Sequence, residues 1–366
     1  MVLAVIAADT HVSENTWTHS SRSAIKGDSF WGFRQLIDLC VEHNCPLVLG
    51  GDCLELARDT RPTTVTVNFL RSQIDRLANI GQKLYYILGQ HDGNEFPSWL
   101  SAIHESCEHF GNKRIKIGSQ DFYGVDFFSP TYARSVIADI PSDVFCLVVH
   151  GPWKEFTGAN AFAELSLADF PNVPVIVSGD MHACMNTRIE NRLCISPGAT
   201  NMRTLREPVN HYCLLLEDNL TFKVTQLKSR PIINFTVVDA NAWVNHLEDL
   251  CQLTKSTYES AMASGMPGDV AIPLVVVDVR VAFDGESIIK ERLQSCHVVF
   301  KGAGDTGVSK AMFGVNDMVG NNEASDAIEK LMLLALDEIY ATEVQKAICV
   351  GMSRGESVLD LLLHYA

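Results

Sequence analysis

Five short segments in the first half of the chain carry side chains that bind divalent cations. They are Asp9-Thr10-His11, Gly51-Asp52-Cys53-Leu54-Glu55, Gly89-Gln90-His91-Asp92, His150-Gly151 and Gly179-Asp180-Met181-His182. An Asp-x-His pair sets a carboxylate and an imidazole two residues apart, so both can reach one ion, and this spacing recurs at Asp180 and His182. A carboxylate at Asp52 can lie between two ions. Two divalent cations about 3.5–4 Å apart stabilise both the attacking and the leaving oxygen of a displacement. Mixed carboxylate and imidazole ligands suit manganese, iron or zinc. Each segment alone has a plainer explanation: Asp52 as the cap of the next segment, His150 as a core histidine with a local partner. Five such segments in one order, each just after an apolar run, point together to a metal centre.

The runs that would position them read as strands at residues 2–8, 47–50, 84–88, 145–149 and 173–178. Between the first three lie helical stretches at 29–43, with Phe30, Phe33, Leu36, Ile37 and Cys40 on one face, and at 64–80, with Val67, Leu70, Ile74 and Leu77. Strands at 193–195, 212–216 and 220–227 follow without helices between them. This order predicts a layered α/β domain with one mostly parallel and one more antiparallel sheet. In open α/β sheets ligands bind at the carboxyl ends of strands, where these five segments fall. The texture changes after Arg230-Pro231: strands at 232–238 and 273–281, helices at 242–263 and 286–294, then a Gly-rich stretch at 301–322 and helices at 324–340 and 357–364. Three parts are expected: a main domain over 1–230, a small α+β capping domain over 231–300, and a linker with C-terminal helices over 301–366.

The chain has 366 residues, a formal net charge of −15 and 47% hydrophobic residues. That is a globular composition, and the acidity excludes nucleic-acid binding by overall charge. Eleven cysteines without a Cys-x-x-Cys pair read as buried thiols in a reducing, cytoplasmic setting. The apolar start is ended by Asp9 too soon for a signal peptide, and no apolar run is long enough to span a membrane.

Taken together, the five segments resemble the calcineurin-like metallophosphoesterase superfamily, and within it the Mre11/SbcD DNA nuclease family. The family's Asp-Ser/Thr-Phe helix start is matched by Asp28-Ser29-Phe30, and its Pro-Gly-Ser segment by Pro197-Gly198-Ala199-Thr200, with Glu207 beyond. The resemblance covers roughly residues 1–290. It implies a metallophosphoesterase-type β-sandwich flanked by helices, with the α+β cap and the C-terminal helical segment. It implies two divalent metal ions, manganese foremost and magnesium as the other candidate. One would be held by Asp9, His11, Asp52 and His182, the other by Asp52, Gln90, His150 and Asp180. His91 would protonate the leaving oxygen, and Asp92 would orient His91 or brace its loop. The implied function is hydrolysis of DNA phosphodiester bonds by metal-activated water, as exonuclease or endonuclease, in end processing, repair or recombination. The implied partners are DNA, a second copy of the chain and an SMC-like (Rad50/SbcC-type) ATPase, for which 324–340 is a candidate docking helix.

The chain departs from the family at three positions. Gln90 stands for Asn, Asp180 for His, and Glu55 for a His that often assists at the site. The extra carboxylate at Asp180 lowers the charge of an occupied centre by one unit and favours harder ions. Arg203, Arg206, Lys228 and Arg230 lie near the fifth segment in sequence and are candidates for meeting phosphates, or plain surface charge. Two alternatives stay open: a nucleotide phosphodiesterase of the same fold, and a non-catalytic scaffold subunit.

Overall fold

The computed structural model describes residues 1–302 apart from 15–24, 57–60, 94–97, 129–132, 158–165, 206, 240 and 282. The helices expected at 324–340 and 357–364, and 303–322 of the Gly-rich stretch, lie outside the described residues. Two compact units emerge, one of Met1–Ile232 with Thr254–Leu274, the other of Ile233–Leu253 with Val275–Ala366.

In the first unit the chain runs β1 (Val2–Ala7), α1 (Asp28–His43), β2 (Leu47–Gly50), α2 (Thr64–Asn79), β3 (Leu84–Ile87), α3 (Trp99–Ile103) and β4 (Cys107–His109). It continues through β5 (Arg114–Ile117), β6 (Gln120–Val125), α4 (Ala133–Ala138), β7 (Cys146–His150), α5 (Lys154–Thr157), β8 (Val175–Gly179), β9 (Met185–Ile189) and β10 (Arg192–Ser196). The strands β11 (His211–Glu217) and β12 (Phe222–Leu227) close it. They form two six-stranded sheets, ordered β12-β11-β1-β2-β3-β4 and β5-β6-β7-β8-β10-β9. Strands β1 to β4 are parallel, with β11 antiparallel to β1. In the second sheet β6, β7, β8 and β10 are parallel, and β5 and β9 are antiparallel edges.

Strand alternation builds three apolar layers. Along β1, Ala4 and Ile6 face the space between the sheets with Val48, Ile87, Phe122, Val148 and Val177, all fully buried. Val5 and Ala7 point the other way, against Leu36, Ile37 and Cys40 of α1 and Leu70, Ile74 and Leu77 of α2. On the outer face of the second sheet Leu147, Val149, Ile176 and Cys194 meet Trp153, Phe156 and Phe170. The result is the expected α/β sandwich flanked by helices. Its helices end where local chemistry dictates. Thr63 caps α2 by accepting from the Thr66 N–H at 3.2 Å, and Asn44 ends α1 in the left-handed conformation at φ 52°.

Beyond β12 the strands β13 (Ile232–Val237), β14 (Leu274–Val279) and β15 (His297–Gly302) form a three-stranded sheet. The helices of this part of the chain are α6 (Leu247–Ala263), α7 (Gly268–Ala271) and α8 (Glu286–Arg292). Trp243, Leu247, Leu250, Ile289 and Leu293 pack on Val275 and Val277. The helix expected at 242–263 is two elements, a tight turn over Ala242–His246 followed by α6. Lys301 and Gly302 end β15 rather than opening a loop. All ten described cysteines are free, and no described helix is long and apolar enough to cross a membrane.

Phe122 is fully buried between the sheets, so Phe122→Ala should destabilise the fold by about 3–5 kcal/mol. A urea midpoint unchanged from the native chain would contradict that packing.

Candidate metal centre

The parallel strands of both sheets end at one place. β1 runs into Asp9 and His11, β2 into Asp52, β3 into Gln90 and His91, β7 ends at His150 and β8 runs into Asp180. Backbone bonds tie these loops together. The Asp9 N–H donates to the Gly51 carbonyl (3.1 Å), and the His11 N–H to the Asp52 carbonyl (2.9 Å). Asp9, His11, Asp52 and Asp180 adopt left-handed φ values of 50°, 42°, 48° and 79°, a conformation costly outside glycine and concentrated at functional sites. Gly51 and Gly179 leave room for His150: a Cβ on either would fall 2.4 or 2.5 Å from its Nδ1.

The side chains follow one rule. His150 Nδ1 donates to the Gly50 carbonyl at 2.7 Å. His11 Nδ1 lies 2.8 Å from Glu55 Oε2, and His182 Nδ1 lies 3.0 Å from Glu207 Oε1. Each anchor turns the opposite nitrogen, Nε2, inward. His11 Nε2 and His182 Nε2 stand 3.3 Å apart. His150 Nε2, fully buried, has no hydrogen-bond partner among the described residues and lies 3.5 Å from Asp52 Oδ2. Asp52 Oδ2 is also 3.8 Å from His11 Nε2 and 4.0 Å from His91 Nε2. Asp9, His11 and His182 bring their ligand atoms within 4.8 Å of one another, and so do Asp9, Asp52 and His150. Both Asp9 oxygens accept from the Asp180 N–H at 3.1 and 3.0 Å.

Burial pushes Asp9 up to about 6, against the pull of His150 and His182. Burial also pushes His11 down to about 3, helped by the Arg203 charge. At Asp52 burial works upward, yet His150, His91 and His11 together hold the carboxyl below its usual range. At His150 burial works downward and is overcome by Asp52, Asp9 and Asp180, which raise it well above an ordinary imidazole. The inward nitrogens thus face carboxylates that demand positive charge, met by a proton or by a metal ion. Buried Nε2 lone pairs fixed by Nδ1 anchors and aimed at two carboxylates fit divalent cations. Ion uptake at such a centre releases protons and strengthens as pH rises.

Gln90 is exposed and its amide nitrogen donates to Asp180 Oδ1. The Asp92 carboxylate reaches backbone instead of the His91 ring, accepting from the Leu54 and Gly89 N–H groups at 2.8 Å each, and so braces its loop. The carboxylate at the His91 ring is Glu55, with Oε1 3.3 Å from His91 Nδ1. Arg203 is buried, not surface charge. Its Nη2 lies 2.8 Å from Glu55 Oε2 and its Nη1 3.3 Å from His11 Nε2. Arg230 is buried too, paired with Asp28 at 3.0 Å, and Lys228 donates to the Ser264 carbonyl at 2.6 Å. Arg206 lies outside the described residues. Glu55, Arg203 and Glu207 all stand out in the sequence, as a departure near the site, a candidate phosphate contact and a flanking acid; their contacts with one another and with the site histidines are visible only in the fold.

No family profile matches the chain, and no curated protein matches it in sequence. Solved structures do align with it. A novel archaeal phosphodiesterase aligns at 14% identity over 61% of this chain and 99% of its own, with a TM-score of 0.36. TT1561 of Thermus thermophilus aligns at 10% identity over 62% and 98%, TM-score 0.39. Zinc-bound Vps29 of Entamoeba histolytica aligns at 12% over 61% and 97%, TM-score 0.30.

Burial alone would lower His91, but the Glu55 hydrogen bond and the Asp52 and Glu55 charges raise it from 6.5 to about 9. In the metal-free protein its imidazolium should persist through neutrality. The stability it contributes is complete below the unfolded value of 6.5 and is lost as pH rises through about 9. An NMR titration of the ring should show that midpoint, and Glu55→Gln should move it down; a midpoint near 6.5 in the native chain would contradict the Glu55 contact.

Proposed function

We propose that the chain is a metal-dependent phosphoesterase of the calcineurin-like superfamily that hydrolyses phosphodiesters, and that its substrate is DNA. The observation that carries the first part is the set of anchored imidazoles at His11, His150 and His182, whose inward nitrogens converge on Asp9 and Asp52. When bound, two divalent cations supply Lewis-acid stabilisation of charge developing on the phosphoryl oxygens. Asp9, His11, Asp52 and His182 would hold one, and Asp52, Gln90, His150 and Asp180 the other. Manganese or magnesium suits three carboxylates better than softer ions do.

The buried residues form a floor and the accessible ones a rim. Asp9, His11, Asp52 and His150 side chains are at most 1% exposed, whereas His91 is 33% and His182 23% exposed. The scissile phosphate would meet the rim. There His91, with Nδ1 held by Glu55, presents Nε2–H to the leaving oxygen and protonates it as the bond breaks. Glu55 beside Nδ1 favours the charged form of that ring. Asp180 supports the floor through its backbone N–H on Asp9.

DNA as the substrate draws support from the likeness to the Mre11/SbcD nucleases at Asp28-Ser29-Phe30 and Pro197-Gly198-Ala199-Thr200. A homodimer and an SMC-like ATPase partner go with that assignment. The exposed Gln90 amide, bonded to Asp180, favours a centre retuned from the family's pattern.

With manganese the chain should cleave both bis-p-nitrophenyl phosphate and end-labelled DNA, and chelation should stop it. His91→Ala should lower kcat by about 10²–10⁴-fold while manganese uptake persists. Turnover of the small diester or of nucleotides without DNA cleavage would replace the nuclease by a nucleotide phosphodiesterase. Manganese uptake without any hydrolysis would leave a scaffold subunit.

A further inference from the structure

The two halves of the centre differ in one respect. On the His150 side, Asp9, Asp52 and His150 converge, and the buried His150 Nε2 has no hydrogen-bond partner among the described residues. On the His11 side, Asp9, His11 and His182 converge, but a guanidinium is already there. Arg203 Nη1 donates to His11 Nε2 at 3.3 Å, and Nη2 meets Glu55 Oε2 at 2.8 Å. Because Arg203 can only donate, Nε2 carries the lone pair of the His11 ring, whose Nδ1 lies 2.8 Å from that same Glu55 oxygen. A guanidinium only donates and stays charged. One lone pair cannot serve both an Arg N–H and a metal ion, and the two cations would repel at that distance.

We propose that Arg203 is a latch that makes cation binding stepwise: the first ion enters on the His150 side, and the second only as Arg203 lets go of His11. The proposal rests on the metal centre described above and adds the order in which it fills. Arg203 is set apart from a purely structural arginine. Arg230 spends its donors on both Asp28 oxygens and on the carbonyls of Lys26, Asp269 and Ile272. Arg203 is equally buried, yet its Nε has no hydrogen-bond partner among the described residues. Its backbone is wired to the ion site as well. The Arg203 N–H donates to Glu207 Oε2 at 2.5 Å, and the other Glu207 oxygen accepts from His182 Nδ1 at 3.0 Å. A shift of His182 onto an ion is therefore passed through Glu207 to the residue that must move. The third convergent group, His11, Glu55 and His91, is no extra ion site, because the guanidinium already balances Glu55.

The test is a manganese titration of the metal-free whole chain by calorimetry, with native mass spectrometry counting the ions. The native chain should take up two ions in two separable steps. His150→Ala should remove the tighter step and His182→Ala the weaker. Arg203→Met should tighten the weaker step by about tenfold or more and leave the tighter one in place. Arg203→Lys keeps the charge but lacks the fork that spans His11 and Glu55; it should tighten the same step, and it carries the test if Arg203→Met does not fold. Two equal steps in the native chain, Arg203 variants that leave the weaker step unchanged, or variants that strengthen both steps alike would each overturn the latch while leaving the centre intact. No manganese uptake by any form would instead overturn the metal centre itself.

Discussion

An imidazole has two nitrogens, and the centre depends on what holds the outer one. At His150 the holder is a strand carbonyl, at His11 it is Glu55, and at His182 it is Glu207. These three contacts fix which nitrogen turns inward, and so decide that Asp9 and Asp52 sit among nitrogens that can share a positive charge. Without it, two carboxylates at most 1% exposed would stand unpaired in a dry interior, a state proteins avoid by several kcal/mol per charge. The glycines at 51 and 179 are part of the same constraint, because a methyl group at either would occupy the space of the His150 ring.

The two sheets serve this constraint from opposite sides. Gly50 belongs to the first and His150 to the second, and their hydrogen bond joins the sheets at the ends of their parallel strands. The apolar layer of Ile6, Val48, Val148 and Val177 lies directly behind the site residues along those strands. Repacking that layer would shift Asp52 against His150, so stability and site geometry are coupled through shared strands. Arg230 and Asp28 act elsewhere in the same unit, tying the start of α1 to the segment that follows β12.

The strands carrying Asp9, Asp52, His91, His150 and Asp180 were legible in the sequence because each is largely buried and reads as an unbroken apolar run. Helices α1 and α2 were legible from their 3.6-residue apolar spacing. Strands β4, β5, β6 and β9 were not, since they are short or half-exposed: β5 alternates exposed and buried residues over only four positions, and β9 has no buried residue. The candidate ligands stand out in the sequence by type and spacing. Glu55 and Arg203 were visible there too, but not their mutual contact, which spans about 150 positions of chain and which only folding creates. At Gln90 the motif suggests a ligand, and in the fold its amide nitrogen donates to Asp180.

The difference in exposure between floor and rim has an evolutionary corollary. A substitution at Asp9, His11, Asp52 or His150 disturbs buried charge and tight backbone together, so selection for a folded chain also preserves those positions. Gln90 and Asp180 border solvent, where a swap of side chain leaves the interior undisturbed. A change of side chain at the mouth of the cavity would therefore alter ion preference or turnover while its base keeps its geometry. Gln90 and Asp180, both set apart in the sequence by their residue types, fall at that mouth.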